Sequence, residues 1–197
     1  RRRSCRVTTN VIHTADGYFN SKTDLSQLFG RSTIVNKEKT ITGDSLFHDN
    51  TTGLNEGFGN VVYKDTVNKN QLLCDHLFYN DKTGYGYATR KALMKDYFAA
   101  RHALCACRHA EALYLNIDTD SVYRMVHGYR HVKAYRKDVQ ALCDSMVFSS
   151  LDSCLTMYQD PVAWSGERQI LGEQIKIFMN DSTVRKAEVI GQALSVE

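Results

Sequence analysis

The sequence predicts an all-β chain built from about six strand–turn–strand repeats, on three observations. A single Pro stands beside 11 Tyr, 8 Phe and 12 Gly, a composition of strands and turns. An acidic residue recurs at positions 16, 44, 75, 111, 144 and 173, in steps of 28, 31, 36, 33 and 29. Each acid is followed by an Asn/Asp/Ser/Gly cluster suited to a tight reversal. A length of 197 residues suits one domain with a real core, and 43% hydrophobic residues excludes a disordered chain. Lys and Arg number 25 against 22 Asp and Glu, which argues against a nucleic-acid binder steered by a dense basic field. No apolar run approaches the ~18 residues of a membrane helix, so no transmembrane segment is expected.

The elements follow from a constant local grammar around the acid. The preceding residue is small: Ala15, Gly43, Cys74, Ala110, Cys143 and Gly172. Two residues after the acid stand Tyr18, Leu46, Leu77, Leu113, Met146 and Ile175. Four after it stand Asn20, His48, Tyr79, Leu115, Phe148 and Ile177. Positions two apart share a strand face, so each copy reads as a short strand with one aliphatic and aromatic side. Turns follow at 20–23, 49–53, 80–84, 118–120, 149–153 and 180–183. A second strand then closes on a second acid at Asp65, Asp96, Asp138 or Asp160. Thr89 to Ala112 is rich enough in Ala, Leu, Lys and Arg to pass as a helix, yet it contains two pieces of the strand grammar. It reads as strands with a long loop near Phe98–His102, and Pro161 falls at a strand end.

Catalysis is not expected. An acid at the same place in every repeat points to a structural task, whereas an active site needs a unique constellation. The seven histidines form no HExxH, and His127 and His131, four apart, have no accompanying carboxylate at a ligand spacing, so no metal and no cofactor are expected. The six cysteines, Cys5, Cys74, Cys105, Cys107, Cys143 and Cys154, contain no CxxC and read best as buried thiols.

The alternation of small–acid–x–apolar–x–aromatic–Asn/Asp with Gly-x-Val-x-x-x-Asp resembles the OstA/LptA-type lipopolysaccharide-transport family, in particular its OstA-like branch of the Bacteroides group. The resemblance runs from about Ala15 to Glu197 and is carried best by residues 59–65, 152–161 and 171–177. It implies a twisted antiparallel β-jellyroll with a V-shaped trough, a periplasmic location and lipopolysaccharide acyl chains as ligand. It also implies other transport components, or a second copy, as partners through edge strands. The chain, residues 1–197, is then one OstA-like domain, expected to be part of a longer exported protein whose export signal is not in this sequence.

An acyl chain carried through water needs its methylenes covered, at roughly 0.8 kcal/mol each, or on the order of 10 kcal/mol for about a dozen carbons. The candidate trough is Leu46, Leu77, Tyr79, Leu113, Leu115, Met146, Phe148, Ile175 and Ile177. Arg130, Lys133 and Arg136 are candidates for lipid A headgroup phosphates, because Arg and Lys suit them by charge and geometry. An alternative is an assembly scaffold that holds no lipid and pairs through open edges near Ala15–Asn20 and Val184–Ser195. A third reading, a carbohydrate-active β-helix, requires parallel strands and a unique acid cluster.

Overall fold

The computed structural model describes residues 3–7, 10–67, 69–96, 103–104, 112–117, 124–136, 138–180 and 183–196; the side chains of 3–7, 96, 103–104, 112–117 and 124 lie outside the description. Among the described residues every regular element is a strand. The chain opens with β1 (Arg3–Val7), β2 (Asn10–Thr14) and β3 (Asp16–Asn20). Four long strands follow: β4 (Leu25–Asn36), β5 (Lys39–Asp49), β6 (Leu54–Asp65) and β7 (Asn70–Asn80). Next come β8 (Tyr85–Thr89), β9 (Leu93–Asp96), β10 (Ala103–Leu104) and β11 (Ala112–Ile117). The long strands β12 (Arg124–Arg136) and β13 (Gln140–Ser149) precede β14 (Cys154–Tyr158), β15 (Val162–Ser165) and β16 (Arg168–Leu171). The chain ends with β17 (Gln174–Met179), β18 (Val184–Ile190) and β19 (Leu194–Val196).

Every described pairing is antiparallel, which removes the parallel β-helix. The turns use the chemistry expected of them. Asp49 Oδ1 accepts from the backbone N–H groups of Thr51 at 2.8 Å and Thr52 at 3.2 Å. Asn80 Oδ1 does the same for Lys82 at 2.9 Å and Thr83 at 3.1 Å. Of the stretch that could have been helical, β9 and β10 are strands; 97–102 and 105–111 lie outside the described residues.

One difference from the sequence reading organises the whole molecule. Asp16 opens the short strand β3 and Glu173 directly precedes β17, but Asp44 and Asp75 lie in the middle of the long strands β5 and β7, and Asp144 lies in the middle of β13. Opposite each acid the neighbouring strand carries an extra residue. Pairing slips between Phe29 and Ser32, between Phe58 and Val61, and between Tyr129 and Val132. These are β-bulges, which bend a strand and raise its twist. The extra residues have left-handed backbones: Gly59 (φ 70°) and Asn60 (46°), Arg90 (59°) and Lys91 (58°), Arg130 (63°) and His131 (54°), Gln159 (60°) and Asp160 (52°). Pro161 sits at this bend, in the gap between the end of β14 and the start of β15, the strand-end position expected of it.

Aligned bulges crease the sheet into two half-sheets. The first contains β2, β9, residues 32–36, 39–43, 61–65, 70–74, 132–136 and 140–143, and β15, β16 and β19. The second contains β3, β8, β11, residues 25–29, 45–49, 54–58, 76–80, 124–129 and 145–149, and β14, β17 and β18. The inward faces of the two halves meet in one cluster of buried residues that extends from Ile12 to Ile177. Each fully buried Leu or Ile in it contributes roughly 1.5–3 kcal/mol relative to exposure.

Candidate functional site

Strand register turns the sequence columns into rows across the second half-sheet. The row nearer the crease runs Leu28, Leu46, Gly57, Leu77, Ala88, Leu113, Gly128, Met146, Met157, Ile175, Val189, each residue paired with the next. The row nearer the open mouth runs Ser26, His48, Asn55, Tyr79, Gly86, Leu115, Val126, Phe148, Leu155, Ile177, Ala187. All nine candidate trough residues therefore fall in these two adjacent rows. Leu46, Leu77, Tyr79, Met146, Ile175 and Ile177 are fully buried, and Phe148 is half-buried against them. Leu113 and Leu115 are placed by register alone.

Small residues alternate with large ones along the first row, and the spacing is needed. A β-carbon on Gly57 would lie 3.1 Å from Leu46 Cδ2 and 3.2 Å from Val61 Cγ1. One on Gly128 would lie 3.2 Å from Val132 Cγ2 and 3.3 Å from Met146 Cγ. The small sites thus admit the side chains of their neighbours and of the opposite half-sheet.

Polar side chains close the mouth. The rim row of the first half-sheet is Asn10, Asn36, Lys39, Asp65 and Asn70, paired in that order. Lys39 Nζ donates to Tyr79 Oη at 2.7 Å and lies 5.0 Å from its ring centroid. Asn36 Nδ2 reaches Asp81 Oδ2 at 3.5 Å, and the rings of Tyr63 and Tyr79 meet at 5.2 Å. Burial works against the charge of Lys39, but the hydrogen bond to Tyr79 and the fields of Tyr79, Asp81 and Asp65 together raise its pKa above the ordinary value. Burial likewise pushes the Tyr63 hydroxyl far up, so it stays protonated and donates to Asp65 Oδ2 at 3.4 Å. Further along the mouth, Asp138 Oδ2 accepts from the Val184 backbone N–H at 3.2 Å.

The three basic candidates do not converge. Arg136 is buried and grips Asp138 through Nε at 2.5 Å and Nη2 at 2.8 Å. That pairing is the main reason the Asp138 carboxyl lies below its ordinary range, with the Val184 N–H adding to it. Lys133 is exposed on the outer face, and Arg130 is exposed in the crease. The bulge also separates His127, stacked on Tyr129 at 6.4 Å, from His131.

The periodic acids hold the crease through side chains. Asp44 accepts from Asn60 Nδ2 at 2.7 Å and from Arg31 Nη1 at 3.0 Å, and Asp75 lies 3.3 Å from Lys91 Nζ. Cys74, Cys143 and Cys154 are buried and form no disulfide, and burial pushes Cys74 up to about 12. Among the described residues no group of His, Cys, Asp and Glu could hold a metal ion, and no helix is long and apolar enough to cross a membrane.

The mouth residues Asn10, Ser26, Asn36, Lys39, Asn55 and Asp81 were not singled out from the sequence. Their one signal was His48, which stands in an otherwise bulky column together with Asn20.

No known protein family matches the chain, and no curated protein does. Among solved structures it is similar to LptH of Pseudomonas aeruginosa, described as the LptA-homologous periplasmic component of the conserved lipopolysaccharide transport device. Identity is 7% over 95% of this chain and 94% of that one, with a TM-score of 0.25. At so low a score the all-β antiparallel architecture stands on the strand pairing itself.

Proposed function

We propose that this chain is a periplasmic, non-catalytic protein of lipopolysaccharide transport that holds acyl chains between its two half-sheets and assists outer-membrane assembly. One observation carries the reading. From Tyr79 onward the two inward rows form an apolar stripe across the second half-sheet, and among the described residues each hydrogen bond across the mouth involves a side chain, none joining backbone to backbone. The halves can therefore part without breaking a strand pair, and an acyl chain of about a dozen carbons offers on the order of 10 kcal/mol of burial to offset their separation. Arg130 and Lys133, both exposed, are the candidates for headgroup phosphates that lie at the surface, whereas Arg136 reaches them only by leaving Asp138.

The test is lipid capture. The protein is expressed in the periplasm of a lipopolysaccharide-producing host, purified, and examined by mass spectrometry for lipid A. The expected result is stoichiometric lipid, lost in Leu77→Asp at retained circular dichroism. Protein that is free of lipid and does not bind added lipopolysaccharide overturns the reading.

A second reading is an assembly scaffold. It is favoured by β18, which pairs only with β17 among the described residues and exposes Arg185, Lys186 and Ala187. Its signature is concentration-dependent oligomers of lipid-free protein in sedimentation velocity.

A further inference from the structure

The mouth-side row changes character along its length. From Tyr79 onward it is apolar apart from the Tyr79 hydroxyl, but its first three members are Ser26, His48 and Asn55, all almost fully buried. Asn10, equally buried, meets them from the opposite rim. Buried polar groups are ordinarily satisfied, and each exception calls for a reason. Two exceptions lie here: Asn10 Oδ1 and Ser26 Oγ have no hydrogen-bond partner. Both flank His48, Ser26 as its partner on the adjacent strand and Asn10 through a 2.8 Å bond to Nε2.

The chain of hydrogen bonds has a fixed direction, set at its far end. Asp81 can only accept, so the 3.0 Å bond from Asn55 makes Nδ2 the donor and leaves Asn55 Oδ1 an acceptor. Asn55 Nδ2 also donates to Gly53 O at 3.2 Å, which fixes the same orientation. His48 Nδ1, 2.8 Å from Asn55 Oδ1, must then carry the proton. In the neutral ring Nε2 is left as an acceptor, Asn10 Nδ2 donates to it, and Asn10 Oδ1 is turned out as a buried acceptor with nothing to accept.

We propose that Asn10, Ser26 and His48 form a recognition site for the head of an amphiphile bearing a hydroxyl group, and that the site discriminates against an anionic head. A hydroxyl donates to Asn10 Oδ1 and accepts from Ser26 Oγ, which satisfies both orphaned atoms at once. A carboxylate offers only acceptors, and Asp81 closes the far end of the same chain with like charge. The hydrocarbon of such a ligand lies along Tyr79, Val126, Leu155 and Ile177, so the row orders a ligand head-first toward the N-terminal strands. This inference rests on the reading that the interior takes acyl chains.

The experiment compares three ligands of one length by titration calorimetry at pH 8 on the full chain: decanol, its isostere methyl nonyl ether, and decanoate. Decanol is expected to bind about tenfold more tightly than either of the others, the worth of a hydrogen bond to a buried unsatisfied group. Asn10→Leu is expected to abolish the preference for decanol over the ether, bringing the ratio of the two affinities to about one. Ser26→Ala serves as the second variant should Asn10→Leu not fold. Equal binding of all three overturns the proposal, with a resident water as the occupant of the site, and leaves the acyl-chain reading standing. Tightest binding by decanoate overturns it as well. Binding by none of the three removes the acyl-chain reading and this site with it. Ring nitrogen shifts that place the His48 proton on Nε2 would also refute the direction of the chain.

Discussion

A β-carbon placed on Gly59 would lie 2.8 Å from Asp44 Oδ2, so the glycine and the carboxylate occupy adjoining space at the crease with no room between them. The carboxylate is drawn there by Asn60 on one side and Arg31 on the other, and Arg31 Nη1 also reaches Asn60 O at 2.7 Å. A single acid thus ties three strands, β4, β5 and β6, at the point where each bends.

This relationship separates backbone strain from steric conflict. Gly30 (φ 72°) and Gly59 (φ 70°) share the left-handed conformation, but a β-carbon on Gly30 meets nothing within 4 Å. Gly30→Ala is expected to cost about 1 kcal/mol from conformation alone. Gly59→Ala adds displacement of Asp44 and is expected to cost more, read as a lower urea midpoint. Equal midpoints would show that the carboxylate gives way freely.

The Asp138 clasp makes the mouth sensitive to acid. Its folded-state pKa is depressed by Arg136 and the Val184 N–H, so its contribution is complete above the ordinary value of 3.8 and is lost as pH falls through the depressed one. Protection of the Val184 amide from hydrogen exchange should therefore fall in that acid window. In Asp138→Ala the same amide should be poorly protected at every pH.

Lys39 responds in the opposite direction. Its folded-state pKa is raised above 10.5, so the stabilisation is complete below that value and is lost as pH rises through the raised one. Lys39→Met should lower the neutral plateau of a thermal melting profile and remove this alkaline component, so that variant and parent converge at high pH. An unchanged alkaline slope in the variant would assign the dependence to other groups.

The rows of the interior were legible in the sequence because a strand repeats every two residues and the acid gave a common origin. The crease was legible too, but in a form easily read past. The small residue precedes the acid by one and the apolar residue follows it by two, so the inward pair Gly43 and Leu46, like Cys74 and Leu77, is three apart. An odd spacing cannot keep both on one face of an unbroken strand; a bulge has to intervene. The polar mouth was not legible, because Asn10, Lys39, Asn55 and Asp81 share neither residue type nor spacing, and only the folding of one half-sheet onto the other brings them together. Arg136 was read as a free cation because its partner, two residues on, becomes one only in the turn that follows β12.

The placement of the joints also sets a clock. Backbone ladders hold each half-sheet, while the described contacts across the mouth are individual side chains such as Lys39 on Tyr79 and Asp138 on the Val184 amide. Exchange of the interior with its surroundings can then proceed by hinge motion about the crease, on the microsecond-to-millisecond scale of such movements. Unfolding, which must unzip the ladders, is a separate and slower event. On the acyl-chain reading proposed above, a molecule built this way loads and unloads many times within the lifetime of one folded state.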